Sequence, residues 1–172
     1  MTNQSTFIHT DITPYNEEAR IWKLLEEVCD PEVPVLSILD LGIVRHISFS
    51  SELNEATITT TPTYSGCPAM DMISINIKMH LLSHGYKSVK IISVLAPAWT
   101  TEWMTEAGKQ KLEAYGIAAP HKLNANNSDD IIQCPQCKST NTKLLSQFGS
   151  TACKALYQCT DCKEPFDYFK CH

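Results

Sequence analysis

The C-terminal third of the chain carries two Cys-x-x-Cys pairs, and they constrain the fold more than any other feature. The pairs are Cys134 with Cys137 and Cys159 with Cys162. In such a pair one tight turn supplies two thiolates, and two pairs complete the tetrahedron that zinc prefers. Segment 138–158 separates the pairs and slightly exceeds the spacing of about 15–20 residues that is usual in ribbons. We therefore predict a metal ribbon with these four cysteines as ligands.

The ribbon metal supplies much of the folding free energy of this region, since about 40 residues cannot bury a sufficient apolar core alone. We expect one zinc ion per chain, although four thiolates also suit iron, as in rubredoxin-type electron carriers. Lys138 and Lys163 follow the second cysteine of each pair, where glycine is common because the turn often has positive φ. In that conformation each lysine costs about 1 kcal/mol, while its charge offsets that of the thiolates.

The distribution of the eight cysteines favours metal binding over a disulfide framework. A dithiol redox motif is the alternative interpretation of the paired cysteines. Cys153, Cys171 and His172 are surplus to a closed four-ligand site. Ordinary packing or surface positions are the simpler interpretation of these three residues. The alternative is a second, labile site for iron or an iron–sulfur cluster.

Charge and hydropathy exclude several classes of protein. The formal net charge is −5, so the chain lacks the basic surface that binds nucleic acid. Its longest apolar stretch, residues 91–98, is too short to cross a membrane. The first twenty residues do not resemble a secretory signal. We expect a soluble, cytoplasmic protein that binds neither nucleic acid nor a membrane.

The order of predicted elements, α-β-β-α-β-α, indicates a small α/β domain with a mixed three-stranded sheet. The third strand follows a right-handed parallel crossover. The predicted elements are a helix from Thr13-Pro14 to about Cys29, strands at 43–49 and 56–63, a helix at 69–84, a strand at 88–95 and a helix at 102–115. This domain spans 1–120 and a polar linker spans 121–133. A β-rich ribbon at 134–172 follows, and we expect its core to be separate.

Cys67 stands alone where a strand breaks into a helix. The helix N-terminus favours a thiolate there, but the residues alone favour a buried, inert cysteine. His80 and His84 lie four apart and could hold a metal from one helix face. No further ligand is evident nearby, so solvated polar residues are the simpler interpretation. No Ser–His–Asp set, phosphate-binding loop or acid–base pair is present, which argues against an independent enzyme.

Four short motifs in the first domain resemble the iron–sulfur cluster assembly family that includes SufT. They are DPEVPV at 30–35, DLGIV at 40–44, TPTYSGCP at 61–68 and PAW at 97–99. Two further segments, 148–157 and 164–172, complete the pattern when they are taken together with the ribbon. The whole is similar to the PaaD family of accessory components of the phenylacetyl-CoA 1,2-epoxidase system. Lys138 and Lys163 depart from relatives that often have glycine.

The resemblance implies a non-catalytic protein that supports a multicomponent di-iron monooxygenase in phenylacetate degradation. It implies the iron–sulfur reductase as client and the other epoxidase subunits as partners; a homodimer is a further expectation. It also implies that Cys67 handles a transient iron–sulfur cluster and that Asp30 and Glu32 line the same site. The alternatives are a stable docking subunit without cluster chemistry and a rubredoxin-like electron carrier.

Overall fold

The computed structural model describes residues 14–120 and 132–170, which form two three-stranded sheets. The first part contains α1 (Pro14–Leu25), β1 (Val44–Ser50), β2 (Glu55–Thr60), α2 (Ala69–Ser83), β3 (Ser88–Ser93) and α3 (Glu106–Tyr115). The second part contains β4 (Thr142–Ser146), β5 (Lys154–Cys159) and β6 (Pro165–Phe169). The α-β-β-α-β-α order and the β-rich second part confirm the predicted fold class.

The first sheet has the order β1-β2-β3 and mixes both kinds of pairing. Strands β1 and β2 form an antiparallel hairpin in which Ile47 lies opposite Ile58. Strand β3 runs parallel to β2, with Ile91 opposite Ile58, so the predicted parallel pairing is confirmed. Helix α2 covers the sheet because Ile73 and Ile77, four apart, fall on one buried face.

Helix α1 ends at Leu25, four residues earlier than the sequence predicts. After Leu25 the hydrogen bonds join residues three apart, as in the bond from the Val28 amide to the Leu25 carbonyl at 3.2 Å. Cys29 then pairs with Ser37 in an isolated antiparallel bridge. This pairing depends on a residue beyond the two prolines, so local helical spacing could not reveal it.

A turn of 3-10 helix, Thr101–Trp103, precedes α3 where the sequence predicts one continuous helix. Thr105 starts the new helix, since its hydroxyl accepts a hydrogen bond from the Gly108 amide at 2.9 Å. The Thr105 amide donates to the Asp40 carbonyl at 2.9 Å, so the loop that carries Asp40 fixes the start of α3. Trp99, in the predicted PAW motif, is buried in the core.

The second sheet has the order β4-β5-β6 and packs on the first part of the chain. The Ala118 amide donates to the Asp167 carbonyl at 2.8 Å, and the Phe169 amide donates to the Ala118 carbonyl at 3.0 Å. Phe169 and Cys153 are buried within the main hydrophobic core, and the ring of Phe169 meets that of Trp99 edge-on. The expectation of separate cores is therefore wrong for Phe169 and Cys153, which join the core of the α/β part, although the ribbon also has a small cluster of its own.

Most of the predicted linker, residues 121–131, lies outside the described residues, as do Cys171 and His172. Ile132 lies at the end of that predicted linker and is buried beside Cys134 in a small ribbon cluster. Among the described helices, none has the length and hydropathy needed to cross a membrane.

Candidate functional site

The four paired cysteines converge at one end of the second sheet. Their sulfur atoms all lie within 4.8 Å of one another. The Cys137 and Cys159 sulfurs are 3.5 Å apart, and the Cys134 and Cys162 sulfurs are 3.8 Å apart. Metal–sulfur bonds of about 2.3 Å require sulfur–sulfur edges of about 3.8 Å in a tetrahedron. The structure thus brings the predicted ligands together at metal-binding distances, well beyond disulfide length.

Two matching turns hold these sulfurs, and each has the sequence Gln-Cys-x-x-Cys-Lys. The Gln133 side-chain amide donates to the Lys138 carbonyl at 2.7 Å. Gln158 makes the equivalent bond to the Lys163 carbonyl at 3.0 Å. Both lysines have positive φ, 62° and 68°, so both adopt the conformation that is costly for residues other than glycine. The glutamines were missed as site residues, although the repeated six-residue pattern is visible in the sequence.

Two of the four thiols, Cys159 and Cys162, have shifted pKa values. The backbone N–H groups of Cys162 and Asp161 lower the pKa of Cys159 to about 7. The Glu164 N–H lowers the pKa of Cys162, but burial and the neighbouring sulfurs outweigh it and raise that pKa to about 12. Four adjacent thiolates repel one another, so this donor set reaches its fully ionised form only around a cation. The residues therefore fit a tetrahedral zinc or iron ion.

Cys67 lies in the turn immediately before α2, far along the chain from the ribbon. Its amide donates to the Tyr64 carbonyl at 3.3 Å, and its partly buried side chain packs against the main core. The Tyr64 hydroxyl is hydrogen-bonded to the Cys67 sulfur. Burial, the Cys67 thiol, and the nearby Glu32 and Cys153 side chains together raise the pKa of Tyr64 to about 12. The phenol therefore donates to the sulfur and keeps its proton.

Asp30 and Glu32 differ in what their carboxylates do. One Asp30 oxygen, Oδ1, accepts hydrogen bonds from the Glu32 amide at 2.7 Å and the Val33 amide at 2.8 Å. These bonds close a local turn, so Asp30 shapes the loop. The Glu32 carboxylate makes no such turn, and its charge acts on the Tyr64 hydroxyl. The Glu32 carboxylate thus acts on the phenol that also interacts with Cys67, while Asp30 holds the backbone of the loop that carries Glu32.

Cys153 belongs to the same neighbourhood rather than to the four-sulfur centre. Its sulfur lies 3.7 Å from Glu32 Oε2 and 3.0 Å from the Thr151 hydroxyl, and only 5% of the residue is exposed. The sequence suggested Cys153, Cys171 and His172 as a possible second metal site, but Cys171 and His172 lie outside the described residues. Since 121 positions separate Glu32 from Cys153, no spacing in the sequence signals this contact.

The rings of His80 and His84 are neighbours, with centroids 4.5 Å apart and planes inclined by 49°. The His84 Nδ1 atom lies 2.8 Å from the His80 carbonyl, so this ring nitrogen already has a hydrogen-bond partner. The His80 Nε2 atom lies 3.7 Å from a Glu27 carboxylate oxygen, a neighbour that the sequence did not reveal. Within the described ranges, the four ribbon cysteines are the group close enough to chelate a metal without rearrangement.

Two family models match the chain and together cover most of it. Residues 18–93 match the iron–sulfur cluster assembly protein family, and residues 118–170 match the PaaD zinc β-ribbon domain. A solved structure, a domain of unknown function DUF59 from Bacillus anthracis, superposes with a TM-score of 0.54 at 30% identity. The match covers 58% of this chain and 93% of that one.

Two curated relatives match different shares of this chain. A protein from Escherichia coli (strain K12), named as a subunit of a "Putative 1,2-phenylacetyl-CoA epoxidase", is 47% identical over 88% of this chain and 91% of its own length. A Porphyromonas gingivalis (strain ATCC BAA-308 / W83) protein named "Fe-S protein maturation auxiliary factor" is 34% identical over 55% of this chain and 90% of its own length. With an assembly-type domain, a four-cysteine ribbon and similarity to an epoxidase component over most of its length, the chain belongs to the PaaD family.

Proposed function

We propose that this chain is a non-catalytic maturation factor that assists iron–sulfur cluster assembly in the reductase subunit of phenylacetyl-CoA 1,2-epoxidase. One relative is named as an epoxidase subunit and another as an iron–sulfur maturation factor, and this chain resembles both. The observation that carries the proposal is the position of Cys67. Cys67 is partly buried against the main core, interacts with Tyr64 and lies inside the part that matches the assembly family.

A sulfur in this setting suits transient handling of iron better than permanent storage. Thiolates are ligands of iron–sulfur clusters, and a site with fewer than four protein ligands leaves a coordination position of the iron available to a client protein. The cluster is cargo in this proposal, passed on to the reductase rather than kept.

We also propose that the ribbon holds zinc through Cys134, Cys137, Cys159 and Cys162, with a structural role. The family match to a zinc β-ribbon and the tetrahedral sulfur spacing support this assignment. Elemental analysis of freshly purified protein should find one zinc ion per chain. The protein solution should have no visible colour. A coloured, iron-loaded ribbon would instead support the rubredoxin-like alternative, because ferric tetrathiolate absorbs visible light.

A reconstituted epoxidase reaction tests the proposed function. A reductase loaded with its cluster beforehand should support full epoxidation in the absence of the present protein, because its task would already be complete. A stable docking subunit would still be required under those conditions. Activity that depends on this protein even with loaded reductase would therefore overturn the maturation role.

The identity of the partners and the compartment stay predictions within this proposal. The client is the iron–sulfur reductase, and the other epoxidase subunits are the remaining partners. A homodimer and a cytoplasmic location are further predictions. Light scattering of the purified protein measures its oligomeric state, and co-purification with the individually expressed reductase tests the client directly.

A further inference from the structure

The docked ribbon places one of its own cysteines against the assembly-type part of the chain. Bonds between Ala118 and strand β6 fix the ribbon there, and the Lys170 amide donates to the Cys153 carbonyl at 3.0 Å. Phe169 anchors the same strand in the main core, against Trp99. The packing of the ribbon on the α/β part thus places Cys153 at this position. Residues of both parts therefore surround its thiol.

The immediate surroundings of Cys153 are polar for a residue so deeply buried. Its thiol faces Glu32 Oε2 at 3.7 Å, while the Thr151 hydroxyl lies 3.0 Å from the sulfur. Burial raises the pKa of Cys153 to about 11, and the Glu32 charge acts in the same direction against the effect of Thr151. A protonated thiol beside a carboxylate is an arrangement that a cation converts into two anionic ligands.

Tyr64 connects this pair to the thiol already assigned a role. Its hydroxyl is hydrogen-bonded to the Cys67 sulfur, and Glu32 and Cys153 both contribute to raising its pKa. Cys67 and Tyr64 pack against the core cluster that contains Cys153. Two thiols and one carboxylate, from three segments far apart in sequence, therefore all act on a single phenol.

We propose that Cys67, Cys153 and Glu32 form one binding site for ferrous iron, completed by the ribbon. The proposal rests on the proposed function, which makes iron the relevant metal, and it extends that function by naming the ligands. Two thiolates and a carboxylate match the mixed soft and hard donors that a divalent first-row metal accepts. Each thiol releases one proton when it binds, and the iron stays ferrous, so no oxidant is needed.

The site is open in the described structure. Within the described ranges, only the ribbon cysteines form a metal-sized group, so Cys67 must move toward the Glu32–Cys153 pair to close around iron. Cys67 lies in a turn rather than inside a helix or strand, which permits such a movement. A site that closes only with metal favours brief retention and release, as delivery requires.

Cobalt(II) binding to anaerobic, zinc-loaded full-length protein tests the shared site. Cobalt is the probe because thiolate coordination gives it intense charge-transfer absorption, while the ribbon zinc is monitored by elemental analysis. Wild-type protein should bind one cobalt ion in addition to its zinc. Cys153→Ser, Cys67→Ser and Glu32→Gln should each weaken that binding at least tenfold with zinc retained. Cys29→Ser, at an exposed cysteine elsewhere, should bind like wild type.

Protection of Cys67 from alkylation provides a second readout on the same samples. Cobalt should slow alkylation of Cys67 in wild-type protein and fail to do so in Glu32→Gln, a variant that keeps the shape of the site if Cys153→Ser misfolds. Wild-type affinity in both the Cys153 and Glu32 variants would overturn the shared site. If those variants bind normally while Cys67→Ala still depletes the reductase of iron, the maturation role stands and only the shared site falls.

Discussion

At the residue scale, the two lysines that close the cysteine turns carry a measurable backbone cost. Lys138 and Lys163 have positive φ, a conformation that costs residues other than glycine about 1 kcal/mol or more. Their carbonyls are nevertheless held by Gln133 and Gln158. The ribbon therefore tolerates strain at both turns because metal ligation and side-chain hydrogen bonds hold the turns in place.

Lys163→Gly should stabilise the ribbon by about 0.5–1 kcal/mol, since glycine adopts positive φ without steric strain. Thermal unfolding of the zinc-loaded protein measures the change. Lys163→Ala is the matched control, because it removes the same charge and leaves the backbone strain. Equal stabilities of the glycine and alanine variants would show that the charge, and not the conformation, decides the effect.

The sequence predicted the ribbon ligands from spacing because a Cys-x-x-Cys pair is a local motif. It could not predict the contact between Glu32 and Cys153, which depends on how two sheets pack. The same distinction applies to helices. The start of α2 at Ala69 and its end before Gly85 follow from local signals. The early end of α1 follows from the bridge between Cys29 and Ser37, which is tertiary information.

At the scale of elements, a carboxylate joins the loop before β1 to helix α3. Asp40 Oδ2 lies 2.6 Å from the Lys111 ammonium and accepts from the Ser37 amide at 3.0 Å, while Oδ1 accepts from the Thr105 hydroxyl at 3.1 Å. Burial alone would raise the pKa of Asp40, but the bonds from Lys111, Ser37 and Thr105 outweigh it and hold the pKa below its ordinary value. The ionised carboxylate is thus the form that the fold stabilises.

Asp40→Asn should lower the free energy of unfolding by about 1–3 kcal/mol at neutral pH, since a charged acceptor with several donors is lost. Denaturant titration measures this loss. Because the folded pKa is lowered, the stabilisation is complete above the unfolded value of 3.8 and disappears as pH falls through the folded pKa. The difference between wild type and variant should therefore shrink in that acidic range.

Lys90→Gln is the control for the Asp40 substitution. Lys90 pairs with Glu55 at 2.8 Å, but its side chain is 62% exposed, so water screens the pair. Its substitution should change stability by less than about 0.5 kcal/mol. A pH-independent difference between wild type and Asp40→Asn would contradict the assigned role of the charge.

At the scale of the whole molecule, the ribbon and the α/β part form one structural unit. Phe169 and Cys153 from the ribbon are buried in the main core, and β6 is hydrogen-bonded to Ala118. The ribbon metal therefore supports more than the ribbon. Loss of the metal should therefore also lower the stability of the assembly-type part, because the two parts share this packing.

Cys134→Ser should abolish stoichiometric zinc and unfold the ribbon, because ligation and folding are coupled there. The α/β part should lose about 3–5 kcal/mol of stability, the cost of removing a buried phenylalanine from a core. Hydrogen exchange of the β2 amides measures this effect. Cys29→Ser serves as the control, since that exposed thiol lies outside the ribbon. Unchanged exchange in β2 after zinc loss would show that the two parts are energetically independent.

The iron and acid-labile sulfide content of the epoxidase reductase, purified from cells that contain either wild-type or Cys67→Ala protein, tests the central claim most directly. Cys67→Ala should fold, since exchanging a small thiol for a methyl group costs about 1 kcal/mol. Reductase from those cells should nevertheless be depleted in iron and sulfide, while wild-type and Cys29→Ala cells yield fully loaded reductase. A fully loaded reductase in cells with Cys67→Ala, or in cells lacking the protein altogether, would contradict the account.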